Sequence, residues 1–125
     1  MDMKMEAVSI RPFIGAKDFE VSKSFYRCLG FEETAILPDF SVFQLNGLSF
    51  YLQDAYVEEW IHNTMLFIEI KDVEKWYNWL KQLELSKNFP GAELRPIKKE
   101  HWGQECFVID PSGILIHFGQ FYADK

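Results

Sequence analysis

Cysteine is scarce in this chain, and its scarcity excludes the chemistries that depend on it. Cys28 and Cys106 are the only two and lack metal-ligand spacing. One falls in a predicted helix and the other in a predicted strand. Both are expected to be reduced, buried, small hydrophobes, which fits a cytoplasmic setting. Basic residues are also few, 13 against 19 acidic, giving a net charge of -6 and a pI near 5.0. That balance argues against a nucleic-acid partner. It serves solubility first, and is also compatible with attraction of a cationic small ligand. No apolar run approaches the roughly 20 residues of a membrane span, and the N-terminal MDMKMEAVSI has no apolar signal-peptide core. No membrane partner is expected. A glycine-rich phosphate loop and a basic aromatic patch are both missing. No nucleophile and base come together either, since Ser112 falls in a turn without a His-Asp context and Cys106 has no electropositive surroundings.

What is present is apolar and aromatic. The 125 residues are 48% hydrophobic and 17% aromatic, enough for a substantial core in one domain, 1–125, and too much for disorder. A repeat organises them. At a spacing of 54, Phe13, Ile14, Lys17, Asp18, Glu20 and Leu29 meet the identical Phe67, Ile68, Lys71, Asp72, Glu74 and Leu83, and Phe25 meets Trp79. Each copy passes from an apolar strand, through Lys-Asp, into an amphipathic helix.

The first half opens with a predicted strand over 7–14, with Val8, Ile10 and Ile14 on one face. Asp18 is placed as a helix N-cap, with Glu20 favourable at the positive end of the helix dipole. Phe19, Ser22, Phe25, Tyr26 and Leu29 recur at helical spacing, and Gly30 stops the helix. Short strands follow around 34–37 and 41–45. Asn46-Gly47 signals a two-residue hairpin, and the chain returns over 48–53 with Ser49, Tyr51 and Gln53 on one face. The second half repeats the order, with a strand over 65–70 and a helix capped by Asp72. Val73, Trp76, Tyr77 and Leu80 form the apolar stripe of that helix. Residues 86–97, with Pro90-Gly91 and Pro96, read as a loop with at most a short strand. A strand over 105–109, a type I turn at Asp110-Pro-Ser-Gly113 and a final strand over 114–121 complete it. The modules span about 5–53 and 64–122, joined by an irregular linker over about 54–63. The class is α+β, two tandem βαβββ modules with helices on the outer face.

KDFEVSKSFYRCLGF in the first half and WGQECFVIDPSGILIHFGQF near the end resemble the vicinal oxygen chelate superfamily, which includes glyoxalase I, extradiol dioxygenases and bleomycin resistance proteins. The resemblance covers about 8–121. It implies a curled mixed sheet enclosing a cleft. Enzymes of the superfamily hold a divalent metal that polarises vicinal oxygens or activates dioxygen. Their ligands fall about seven residues before the Asp that opens each helix and four beyond the hairpin Gly. Here those places hold Arg11, Met65, Tyr51 and His117, of which only His117 is a good ligand. A site rebuilt from His62, His101, His117 and a nearby acid is the alternative. The expectation is no metal, no cofactor and no catalytic residue.

The final segment is nearest in pattern to the bleomycin resistance proteins, which sequester flat ligands in crevices across a homodimer. The resemblance therefore implies a metal-independent small-molecule binder acting as a homodimer. The alternative is a glyoxalase- or dioxygenase-like enzyme with an atypical metal site, and a third reading is a structural dimer with a vestigial cleft. Trp102 is the implied stacking wall, or it packs on its own sheet. His117 either lines the cleft or is a satisfied histidine beside Tyr51. Arg11 can clamp an anionic group on the ligand or pair with an acid such as Glu69. Phe13, Phe43, Tyr51, Met65, Phe67 and Phe121 are the other lining candidates. Glu58, Glu59, Glu100 and Glu105 are read as solvated surface.

Overall fold

The computed structural model of the protein describes residues 5–123. In the first half, β1 (Phe13–Gly15) leads into α1 (Phe19–Cys28), followed by β2 (Glu32–Leu37), β3 (Phe40–Leu45) and β4 (Leu48–Gln53). A short α2 (Glu58–His62) joins it to the second half. There β5 (Met65–Glu69), α3 (Val73–Gln82), α4 (Leu85–Asn88), β6 (Glu93–Lys99), β7 (Gly103–Ile109) and β8 (Leu115–Phe121) follow. The strands form two four-stranded mixed sheets, ordered β1-β4-β3-β2 and β5-β8-β7-β6. In each sheet the first strand of the module lies parallel to its last, and the remaining pairs are antiparallel.

The repeated Lys-Asp performs the same local task twice. Asp18 accepts from the Val21 backbone N–H at 3.2 Å and Asp72 from that of Lys75 at 3.0 Å, so each carboxylate satisfies a donor that the helix start leaves unpaired. Glu20 and Glu74 follow in the first turns, and Arg27 and Lys81 in the last, where each charge complements the helix dipole. Asn46 (φ 52°) and Gly47 (φ 82°) both adopt the left-handed conformation that their hairpin requires.

One core serves both halves. Phe25, Tyr26, Phe43, Phe50 and Leu52 from the first pack in the same buried cluster as Leu80, Val108, Ile116 and Phe118 from the second. The Asp110–Gly113 turn is part of this join. Asp110 Oδ1 accepts from the backbone N–H groups of Ser112, Gly113 and Ile114, which fixes the turn. Ser112 Oγ then accepts from the Lys17 backbone N–H at 2.9 Å and lies 3.3 Å from Ser22 Oγ on α1.

Three expectations are corrected. The opening strand expected over 7–14 is regular only from Phe13, because Pro12 has no N–H to place in a ladder. Val8 (100% exposed) and Ile10 (94%) consequently stand clear of the core. The linker is not irregular throughout, since α2 buries Ile61 against Gly15, where an added Cβ would lie 3.3 Å from that side chain. The segment read as a loop over 86–97 contains the end of α4 and most of β6. Pro96 is tolerated because β6 is an edge strand, with its irregularity between Arg95 and Lys98.

Candidate functional site

Alternation along the strands separates the core side of each sheet from a second, more aromatic side. In β4, Phe50 and Leu52 enter the core while Ser49, Tyr51 and Gln53 take the other face. In β8, Ile116 and Phe118 enter the core while His117 and Phe121 do not. Apart from Phe43, the candidate residues therefore form two groups, one beside each sheet, each facing away from the shared core.

On the first sheet, Phe13 and Tyr51 are direct partners of the parallel β1–β4 pair, with ring centroids 4.8 Å apart. Phe40, which sequence reasoning missed, adds a third ring 5.6 Å from Tyr51 and 6.2 Å from Phe13. Period-two alternation in β3 could have found it, two residues from Val42 and opposite in facing to Phe43. Arg11 lies over this platform. Its Nε donates to Ser49 Oγ at 2.8 Å, its Nη1 donates to Tyr51 Oη at 3.2 Å, and its guanidinium carbon is 5.7 Å from the Tyr51 ring centre. These bonds fix the planar fork while the side chain stays exposed, an arrangement suited to an anionic or acceptor group.

On the second sheet, Phe67 is the hub. Its ring lies 5.6 Å from Trp102, 5.8 Å from Phe121 and 6.1 Å from His117, and Trp102 is 5.1 Å from Phe121. Gly119 makes this possible, because a Cβ there would overlap the Phe67 ring and come within 3.1 Å of Trp102. Phe107 contributes an edge-on ring 5.0 Å from His117. Trp102 thus packs on its own sheet and keeps part of its indole accessible. Met65 begins the same strand as Phe67, and both are exposed.

His117 has a partner that the sequence did not announce. Glu105, read as solvated surface, is 6% exposed, and its Oε1 lies 2.8 Å from His117 Nδ1. A buried carboxylate needs a donor, so the Nδ1 position carries the proton and Nε2 is the nitrogen left for other contacts. A lone Glu twelve residues before a His gives no such signal, because Glu105 and His117 meet only through the β7–β8 register.

Phe43 is a further correction. It is fully buried against Tyr26 and the stacked Phe50, so it belongs to the core and not to either aromatic face. Of the two readings of His117, the satisfied histidine finds its partner in Glu105 on its own sheet, while Tyr51 belongs to the other sheet. His62 is close to Glu58 and to the Gly113 turn, and His101 is exposed. Among the described residues no three His, Cys, Asp or Glu side chains converge as metal ligands. The four matched positions do not fit a metal. Arg11 carries a fixed positive charge and bonds Tyr51, Met65 offers only a soft thioether, and His117 alone is a ready donor.

No protein-family model and no curated protein matches the chain. Solved structures do. A bleomycin-binding protein complexed with bleomycin superposes with a TM-score of 0.77 at 18% identity, covering 93% of this chain and 100% of its own. The chain has the vicinal oxygen chelate fold. The bleomycin-binding protein of Streptomyces verticillus, complexed with copper(II)-bleomycin, gives 0.76 at 22% identity over 95% and 100% of the two chains. FosX, a fosfomycin resistance protein of Listeria monocytogenes complexed with Mn(II) and sulfate, gives 0.71 at 15% identity over 96% and 94%. The fold is thus shared with proteins that bind bleomycin and with one complexed with Mn(II). No helix of the described chain is long and apolar enough to cross a membrane.

Proposed function

We propose that this protein is a metal-independent small-molecule binder that captures a flat organic ligand on its aromatic sheet faces. The observation that carries this reading is the Phe67–Trp102–Phe121 cluster, an accessible aromatic wall built around Gly119 and edged by the oriented imidazole of His117. Aromatic walls with few, fixed polar groups suit organic ligands. Antibiotic binding by the similarly folded bleomycin-binding proteins supports the same reading. The oriented guanidinium of Arg11 favours an anionic or zwitterionic ligand over a purely cationic one.

The working unit is a homodimer. Val8, Ile10, Phe13, Met65 and Phe67 are large apolar side chains exposed on the single chain. Apolar exposure on this scale marks an association surface. A second copy that covers it would bring the Arg11 platform of one chain toward the His117 wall of its partner. Two outcomes decide the reading. Natively purified protein offered Zn, Mn, Ni and Fe is expected to carry no stoichiometric metal, and sedimentation is expected to give a dimer. Tight equimolar metal that is lost in His117→Ala would instead establish the enzyme reading.

A further inference from the structure

The two halves start their helices alike but differ along one face of them, and the difference lines a cavity. Between α3 and the end of α1 lies a hollow of about 440 Å³, walled by Trp76, Trp79, Lys71, Asp72, Lys75 and Gly30 among others. It is on the helix side of the fold, away from both aromatic sheet faces. The indoles of Trp76 and Trp79 meet edge to face at 5.5 Å. Trp76 is also stacked on the buried Phe118 at 5.0 Å, which holds it in place. Trp79 is 37% exposed, although tryptophan gains most from burial.

The internal repeat supplies a comparison within the same molecule. At the spacing of 54, Lys75, Trp76 and Trp79 stand where the first half has Val21, Ser22 and Phe25. Ser22 and Phe25 are buried, and the equivalent hollow of about 390 Å³ is lined by Lys17, Asp18, Val21, Pro90, Pro111 and Ser112. It has one ammonium, which lies 5.6 Å from the Tyr56 ring, and no indole. The second half has therefore gained a cation and two indoles at three positions that all face one cavity. Among the described residues neither Lys71 nor Lys75 forms an ion pair. Asp72 also lines the cavity, with its Oδ1 accepting from the Lys75 backbone N–H as the cap of α3. With two ammoniums against the single Asp72 carboxylate, the lining carries a net positive charge in a chain of net charge -6.

We propose that this cavity is a second binding site, for a small aromatic anion. Its ring would lie against Trp79 and Trp76, and its anionic group between the Lys71 and Lys75 ammoniums. The volume is within the range of small-ligand pockets. The site is independent of the sheet-face ligand and of dimer formation.

The four indole N–H resonances of the ¹⁵N-labelled protein, assigned by single Trp→Phe changes, report on it directly. Titration with 2-naphthoate is expected to shift the Trp76 and Trp79 signals saturably. The neutral 2-naphthamide should bind at least tenfold more weakly, as should the acid with Lys71→Gln/Lys75→Gln, whose exposed side chains are dispensable for folding. No saturable shift, shifts confined to Trp102 or Trp60, or equal binding of the amide would overturn the proposal. So would unchanged affinity in the double variant. Trp102 reports the sheet face separately, so failure here leaves the proposed function standing.

Discussion

The Tyr26 hydroxyl donates to Asp110 Oδ2 at 2.7 Å, joining the first helix of one half to the hairpin of the other. Both groups are fully buried. Burial, with the Asp110 carboxylate beside it, pushes the Tyr26 hydroxyl well above its ordinary 10.0. Removing the hydroxyl leaves a buried carboxyl oxygen without its donor. Tyr26→Phe is therefore expected to lower unfolding free energy by about 1–3 kcal/mol, measured by urea denaturation with an unchanged m-value.

The same carboxyl makes a signed prediction for pH. Burial raises the Asp110 carboxyl above its ordinary 3.8, opposed by hydrogen bonds from Tyr26 and from the backbone of Ile114, Ser112 and Gly113. The folded protein thus holds this proton more tightly than the unfolded chain. The stabilisation is complete below 3.8 and is lost as pH rises through the raised folded value. The stability of wild type relative to Asp110→Asn should therefore fall as pH is raised from below 3.8 to 7. A relative rise would contradict this.

Glu105 fixes the proton on His117 Nδ1, a prediction that needs no ligand. The ¹⁵N shifts of the neutral form of the His117 imidazole should report the Nδ1–H tautomer. In Glu105→Ala the Nε2–H tautomer should gain population, because the carboxylate acceptor is gone. Identical tautomers in both proteins would show that Glu105 does not position the ring.

Two glycines of the last sheet are expected to differ in how they fail. A Cβ at Gly103 would overlap the Gln120 carbonyl across the β7–β8 ladder, which cannot yield. Gly103→Ala should cost several kcal/mol, on the order of 3. A Cβ at Gly119 instead meets the Phe67 ring. Phe67 is 46% exposed and can swing away, so Gly119→Ala should cost less stability but disperse the aromatic wall. Urea melts and the near-ultraviolet circular dichroism of the aromatic residues separate the two effects.

Local signals made most of the fold legible. Asp18 and Asp72 cap their helices, Asn46-Gly47 turns its hairpin, and period-two alternation sorts β4 and β8 into core and outer faces, because each depends on neighbours in sequence. What escaped depends on the packing of distant segments. Glu105 reads as a surface acid until the strand register sets it beside His117. Phe43 reads as lining until Tyr26 and Phe50 enclose it. Val8 and Ile10 have strand residues' composition, yet among the described residues no strand pairs with them. The matched positions Arg11, Tyr51, Met65 and His117 were found by counting from Asp and Gly, and the structure divides them between two sheets.

The most direct measurement of the central claim is thermal unfolding of EDTA-treated protein against a panel of planar aromatic compounds that includes metal-free bleomycin. The account predicts saturable stabilisation by at least one member, growing with the logarithm of its concentration, insensitive to EDTA and lost in Trp102→Ala. Stabilisation only when a divalent metal is restored, abolished by His117→Ala, would contradict it.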